Sequence, residues 1–123
     1  MFVEIVMQKL IINNFKAPSL NKSYSGEHWT VRRKRSKEIH LLVWGLCKEQ
    51  KLDQVKKYPV DINITAYYKA KTKRDSGNVS NKELIDGLVF AEIIEDDDTR
   101  FVRKVTTQAL IGQKENKVVI KIL

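Results

Sequence analysis

The chain has 123 residues, 42% of them hydrophobic, with two prolines and five glycines. That fits one domain, 1–123, with enough apolar side chains for a core, and excludes a disordered or collagen-like chain. A formal net charge of +8 favours a polyanionic partner such as nucleic acid, and the lone Cys47 excludes an intramolecular disulfide or a cysteine-based zinc site and fits a reduced, intracellular setting.

The opening stretch MFVEIVMQKLII has Glu4 and Lys9 among its apolar residues and no basic leader. It reads as a strand over 3–12, with no signal peptide or membrane span. Residues 13–30 hold Pro18, Gly26, three asparagines and three serines, which predicts a long loop. From Val31 the pattern turns helical. Ile39, Leu42, Val43, Leu46 and, at its end, Gln50 form a stripe on a helix expected to run to about Val55, with Thr30 as N-cap. Pro59 opens a second strand, in which Val60, Ile62, Ile64, Ala66 and Tyr68 alternate with Asp61, Asn63, Thr65 and Lys69.

Residues 71–78 are polar and contain Gly77, hence a turn. Ser80 and Glu83 fit a capping box for a second helix, with Leu84, Ile85, Leu88 and Val89 as its apolar face and an end near Ala91. Residues 101–110 and 117–123 read as strands joined as a hairpin through 112–116. The order β-α-β-α-β-β predicts an α+β domain with a small mixed sheet and two helices.

Charge is distributed unevenly along these elements. Asp75, Glu83, Asp86, Glu92, Glu95, Asp96, Asp97 and Asp98 fall within 75–98 against one cation, Lys82, a net −7 inside a chain of net +8. Carboxylates massed on a basic body repel a polyanion unless divalent cations sit among them, the layout of a Mg²⁺-dependent nuclease. Asp75 precedes the second helix and Asp96–Asp98 follow it. A helix of about 12 residues spans about 18 Å, and six extended residues reach about 20 Å, so the returning chain is long enough to carry Asp97 towards Asp75. Lys82 and Asp86, four apart, share one helix face. Two or three carboxylates suffice for Mg²⁺. A solvated loop is the other reading of such an acidic run. The spacing of an EF-hand loop is absent.

Arg32, Arg33, Lys34, Arg35 and Lys37 crowd the start of the first helix, where cations oppose the macrodipole. Phosphate binding accounts for them better than a solvated face. Lys69, Lys71, Lys73 and Arg74 lead into Asp75 and are placed to align the same DNA strand. Tyr24, His28 and Trp29 either stack on unpaired bases or anchor their loop. His28 and His40 lack the spacing of a metal pair, and neither receives a catalytic role. Trp44 and Cys47 read as core or dimer-interface residues. No glycine-rich phosphate loop, nucleophilic triad or cofactor motif is visible.

One family orders these features in the same way. The loop Pro18-Ser19-Leu20-Asn21-Lys22-Ser23-Tyr24, the turn Lys73-Arg74-Asp75-Ser76-Gly77-Asn78, the helical Lys82, the step Asp86-Gly87-Leu88 and the run Glu95-Asp96-Asp97-Asp98 resemble the RusA family of Holliday junction resolvases. The likeness spans most of the chain. It implies a single RusA-like nuclease domain acting as a homodimeric, Mg²⁺-dependent endodeoxyribonuclease, with Mn²⁺ as an alternative metal. Such an enzyme resolves four-way DNA junctions by paired nicks in the cytoplasm and nucleoid of a bacterial host, commonly from phage or prophage genes. Asp75 and Asp97 are then the catalytic metal carboxylates and Lys82 a catalytic lysine near the scissile phosphate. Asp86 and Asp96 are auxiliary metal acids, and Asn21 and Tyr24 join the basic residues on DNA. Two departures stand out. The family's second turn aspartate is Gly77 here, and one extra residue between Asn78 and Lys82 opens a register with Asn78 at the acid position. The alternative is a non-catalytic, structure-selective DNA-binding dimer derived from the same family, and Gly77 is the residue that separates the two.

Overall fold

Residues 7–18, 29–71 and 79–123 are described in the computed structural model of the chain. They form strand β1 (Gln8–Asn13), helix α1 (Trp29–Glu49), strand β2 (Val60–Tyr67), helix α2 (Lys82–Phe90) and strands β3 (Val102–Leu110) and β4 (Lys117–Ile122). The class and order are those expected. The four strands make one mixed sheet in the order β1-β4-β2-β3, antiparallel except between β2 and β3.

Alternation decides which side of the sheet is buried. Along β2, Val60, Ile62, Ile64 and Ala66 are buried while the residues between them are half-exposed, and Tyr68 continues the buried set. Leu10 and Ile12 of β1 and Val118, Ile120 and Ile122 of β4 join them, with Ile39, Val43 and Cys47 of α1 and Leu84, Ile85 and Leu88 of α2, in one core. Each such aliphatic side chain contributes about 1.5–3 kcal/mol on burial.

The expected hairpin between β3 and β4 does not form, because β2 lies between them. Their connection crosses the end of β2 instead. Gly112 and Gln113 donate N–H groups to the carbonyls of Ala70 and Tyr68 at 3.1 and 3.0 Å, and Lys69 donates to Asn116 Oδ1 at 2.8 Å. Gly112 takes φ +65, which a Cβ would oppose. Burial accounts for the arrangement. Val118, Val119 and Ile120 are buried in succession, so β4 suits an interior position, whereas Arg103, Lys104, Thr106 and Gln108 leave β3 fit for an edge.

Both helices stop by the same device. α1 ends at Glu49, short of Val55. Lys51 adopts φ 58, Leu52 N–H reaches Cys47 C=O at 2.9 Å, and Lys51 N–H reaches Lys48 C=O at 3.2 Å. α2 ends with Glu92 at φ 61 and N–H bonds from Ile93 to Leu88 and from Glu92 to Val89, both 3.0 Å. These are Schellman motifs with charged residues where glycine is usual, which is why the sequence did not mark the first stop.

Other expectations need correction. Leu42 is 38% exposed, outside the core stripe of α1, and Trp44, at 41%, is not in the core, which leaves the interface alternative of its reading. Gln50 is not part of that stripe either: its side-chain amide donates to Ile11 C=O at 2.7 Å and accepts from Ile11 N–H at 2.9 Å, occupying the outer edge of β1. Gln8 and Asp53 exchange a similar pair of bonds, both 2.7 Å. Trp29 and Thr30 are already helical, so Thr30 is not the cap. Asn81, not Ser80, holds the N-cap position of α2 and makes no side-chain cap; Ser80 Oγ donates to Glu83 Oε2 at 2.7 Å. Residues 1–6 of the expected first strand, 19–28 of the loop and 72–78 of the turn lie outside the described residues. No helix among the described residues is long and apolar enough to cross a membrane.

Candidate functional site

Gly87 determines how the two helices meet. A Cβ there would stand 2.9 Å from Val43 Cβ, so only glycine lets α1 and α2 approach this closely. Asp86, beside it, is thereby half-buried near α1. Lys82, one turn earlier, supplies an opposite charge on the same helix face, as the spacing predicted.

After the reversal at Glu92 the chain is pinned on its way back. Val55 N–H bonds Ile93 C=O at 2.8 Å, Glu95 N–H donates to the Tyr58 hydroxyl at 3.0 Å, and the Tyr58 ring meets Phe101 edge-on at 5.0 Å. The three consecutive aspartates then differ. Asp98 is structural: its carbonyl accepts from Phe101 and Val102 N–H at 2.9 Å, and its carboxylate accepts from Arg100 Nε and Nη2 at 3.0 and 2.8 Å. These Arg100 contacts hold the Asp98 carboxyl below its ordinary range. Asp96 Oδ1 accepts from Asp97 N–H at 2.8 Å, closing a local turn. The Asp97 carboxylate is exposed and takes no hydrogen bond or ion pair among the described residues.

The Asp86 carboxyl is held above its ordinary range, first by burial. Lys82 opposes the rise, Asp97 adds to it, His40 opposes it and Glu83 adds to it. Asp97 thus acts on Asp86 of α2, while the expected approach to Asp75 lies outside the described residues. His40 was assigned no role from the sequence, yet it belongs to this group. Its ring lies on Phe90 with centroids 6.0 Å apart and 25° between planes, and its Nε2 is buried with no hydrogen-bond partner among the described residues. Only the helix crossing brings it here. The one sequence signal was Gly87, a small residue beside an acid in the apolar half of the helix.

The basic cluster occupies the first turns of α1, ahead of Ile39, the first core residue of the helix. Arg32, Arg33, Lys34 and Lys37 are exposed and Arg35 is half-buried. Trp29, 58% exposed, begins the same helix. Lys71 is exposed just beyond β2. Asp75, Lys73, Arg74, Gly77, Asn21, Tyr24 and His28 lie outside the described residues. Among the described residues no group of three or more His, Cys, Asp or Glu side chains is arranged to hold a metal ion. Compared with protein-family models and with curated proteins, the chain matches none.

Proposed function

We propose that the chain is a Mg²⁺-dependent endodeoxyribonuclease that resolves four-way DNA junctions. The observation that supports this reading is the run of carboxylates on an otherwise strongly basic chain, with Asp97 among the charges that act on Asp86. Carboxylates are the hard oxygen ligands that a divalent cation takes, although the described residues by themselves do not assemble a set of three. Asp86 has lost water and is crowded by Asp97 and Glu83, and a nearby cation supplies the compensation that Lys82 and His40 give only in part.

In this reading Asp75 and Asp97 hold the metal, with Asp86 and Asp96 as auxiliary acids. Mg²⁺ or Mn²⁺ held there would supply activation of an attacking water and compensation of charge on the phosphate. Lys82 offsets charge at the scissile phosphate, and Arg32, Arg33, Lys34, Arg35, Lys37, Lys71, Lys73 and Arg74 hold the flanking backbone. Tyr24 and Asn21 contact the junction from the preceding loop.

Cleavage of a synthetic four-way junction, with and without Mg²⁺, is the test. Asp75→Asn and Asp97→Asn are each expected to lower the cleavage rate by about 100-fold or more. DNA binding should hold or tighten, since a repelling carboxylate is gone. Full activity in both variants defeats the assignment. Gly77 favours the second reading, a dimer that binds junctions without cutting. A parent chain that binds the junction and never nicks it, with either metal, selects that alternative.

A further inference from the structure

The helices cover one face of the sheet, and no described element covers the other. Val119 points to that other face: it stands outside the core that holds Val118 and Ile120, although it is itself buried, at 8% exposure. Across the strand register, the face opposite the helices reads Lys9, Lys121, Asn63 and Thr106 in one row. At about 4.8 Å between strands this row spans about 14 Å. Lys104 lies in the neighbouring row, and Lys117 stands over the Tyr67 ring at 4.8 Å on the same face.

The charge on this face is one-sided. Asp61 is the only acid in any of the four strands, and Arg103 already binds it through Nε at 3.0 Å. Lys9 and Lys121 are direct register partners, so two cations face each other across adjacent strands, an arrangement that opposes folding. Neither has an ion-pair partner among the described residues. Nothing in the packing requires lysine at either place.

We infer that this face seats the phosphate backbone of a duplex DNA arm, contacted by Lys9, Lys121 and Lys104, on the side of the sheet away from the helices that carry Asp86. The choice of DNA as the polyanion rests on the proposed function. The donors offered, ammonium groups with the Asn63 amide and the Thr106 hydroxyl, match phosphate oxygens. Among the described residues the face has no open aromatic platform for unpaired bases, since Tyr67, the one aromatic of its strands, lies beneath Lys117. A second copy of the chain is a poor occupant, because two such faces repel.

The test is the salt dependence of binding to an unbranched duplex of about 30 base pairs, measured on the full chain. Each lost phosphate contact shallows the slope of log K against log salt by about 0.9. Lys9→Gln with Lys121→Gln is expected to shallow it by one to two such steps, with a melting temperature equal to or above the parent's. Lys104→Gln, on the exposed edge strand, is an independent variant expected to remove about one step. Slopes equal to the parent's in both overturn the inference, as does a change of sedimentation mass in place of a change of slope. Junction cleavage read in parallel separates the two proposals. Normal Mg²⁺-dependent cutting with unchanged slopes sinks this surface alone, and altered slopes without any cutting sink the nuclease alone. A parent that binds no DNA sinks both.

Discussion

Burial on α2 raises the Asp86 carboxyl above its ordinary value of 3.8, and Asp97 and Glu83 add to that rise. Below pH 3.8 the group is protonated whether the chain is folded or not, and it opposes nothing. As pH climbs from 3.8 through the raised value, the unfolded chain gives up the proton first, so stability is lost and stays lost above. Asp86→Asn should therefore raise the melting temperature at pH 7, and the gain should shrink to nothing below pH 3.8; melts at pH 7 and pH 3 check it. Asp61 and Asp98 shift the opposite way, lowered by Arg103 and Arg100, but these pairs are exposed and contribute little. At this scale the sequence marked the acidic run around Asp86 and 95–98 but not its internal roles. Three adjacent aspartates look alike until Arg100 and the local turn occupy two of them, and His40 joins only through the helix crossing.

The helix ends carry a stability reserve. Lys51 and Glu92 sit in left-handed backbone where a Cβ is disfavoured, and both side chains are exposed. Lys51→Gly and Glu92→Gly should each stabilise the fold by about 1 kcal/mol. In a domain of this size that is about 3–5 °C by calorimetry. The start of α1 makes a separate claim. Neutralising Arg32, Arg33 and Arg35 together should shallow the salt slope of DNA binding by roughly two to three; an unchanged slope would turn that helix face away from DNA. Periodicity gave β2 and α2 almost residue by residue, because alternation and the 3.6 repeat follow directly from burial. The end of α1 escaped because its stop uses Lys51 in place of glycine. The false hairpin arose because a short, turn-like connection does not encode which strand lies between its ends.

At the scale of the whole molecule, the α+β class was legible from element order, whereas partners are not written in the fold. Under the proposed function, two symmetry-related strands must be nicked, and since one chain offers one acidic group, that reading predicts a two-fold dimer presenting two sites. Light scattering at micromolar concentration should report twice the 14.3 kDa of one chain. Exposed Leu41 and Trp44 on α1 offer apolar surface for such an interface. A chain that stays monomeric on junction DNA argues for a simpler binding module.

The skipped strand also sets a timetable for synthesis. β1 leaves the ribosome early, but among the described strands it pairs with β4 alone, which is made after the other three. The segment from β2 through α2 to β3 can assemble as a unit while β1 waits, its inner edge open to any extended chain nearby. A nascent protein halted after Leu110 is thus left with a sheet in two pieces, the acidic run already made and its supporting core unfinished. Completion of Lys117–Ile122 joins the halves, making the last strand the keystone of the fold.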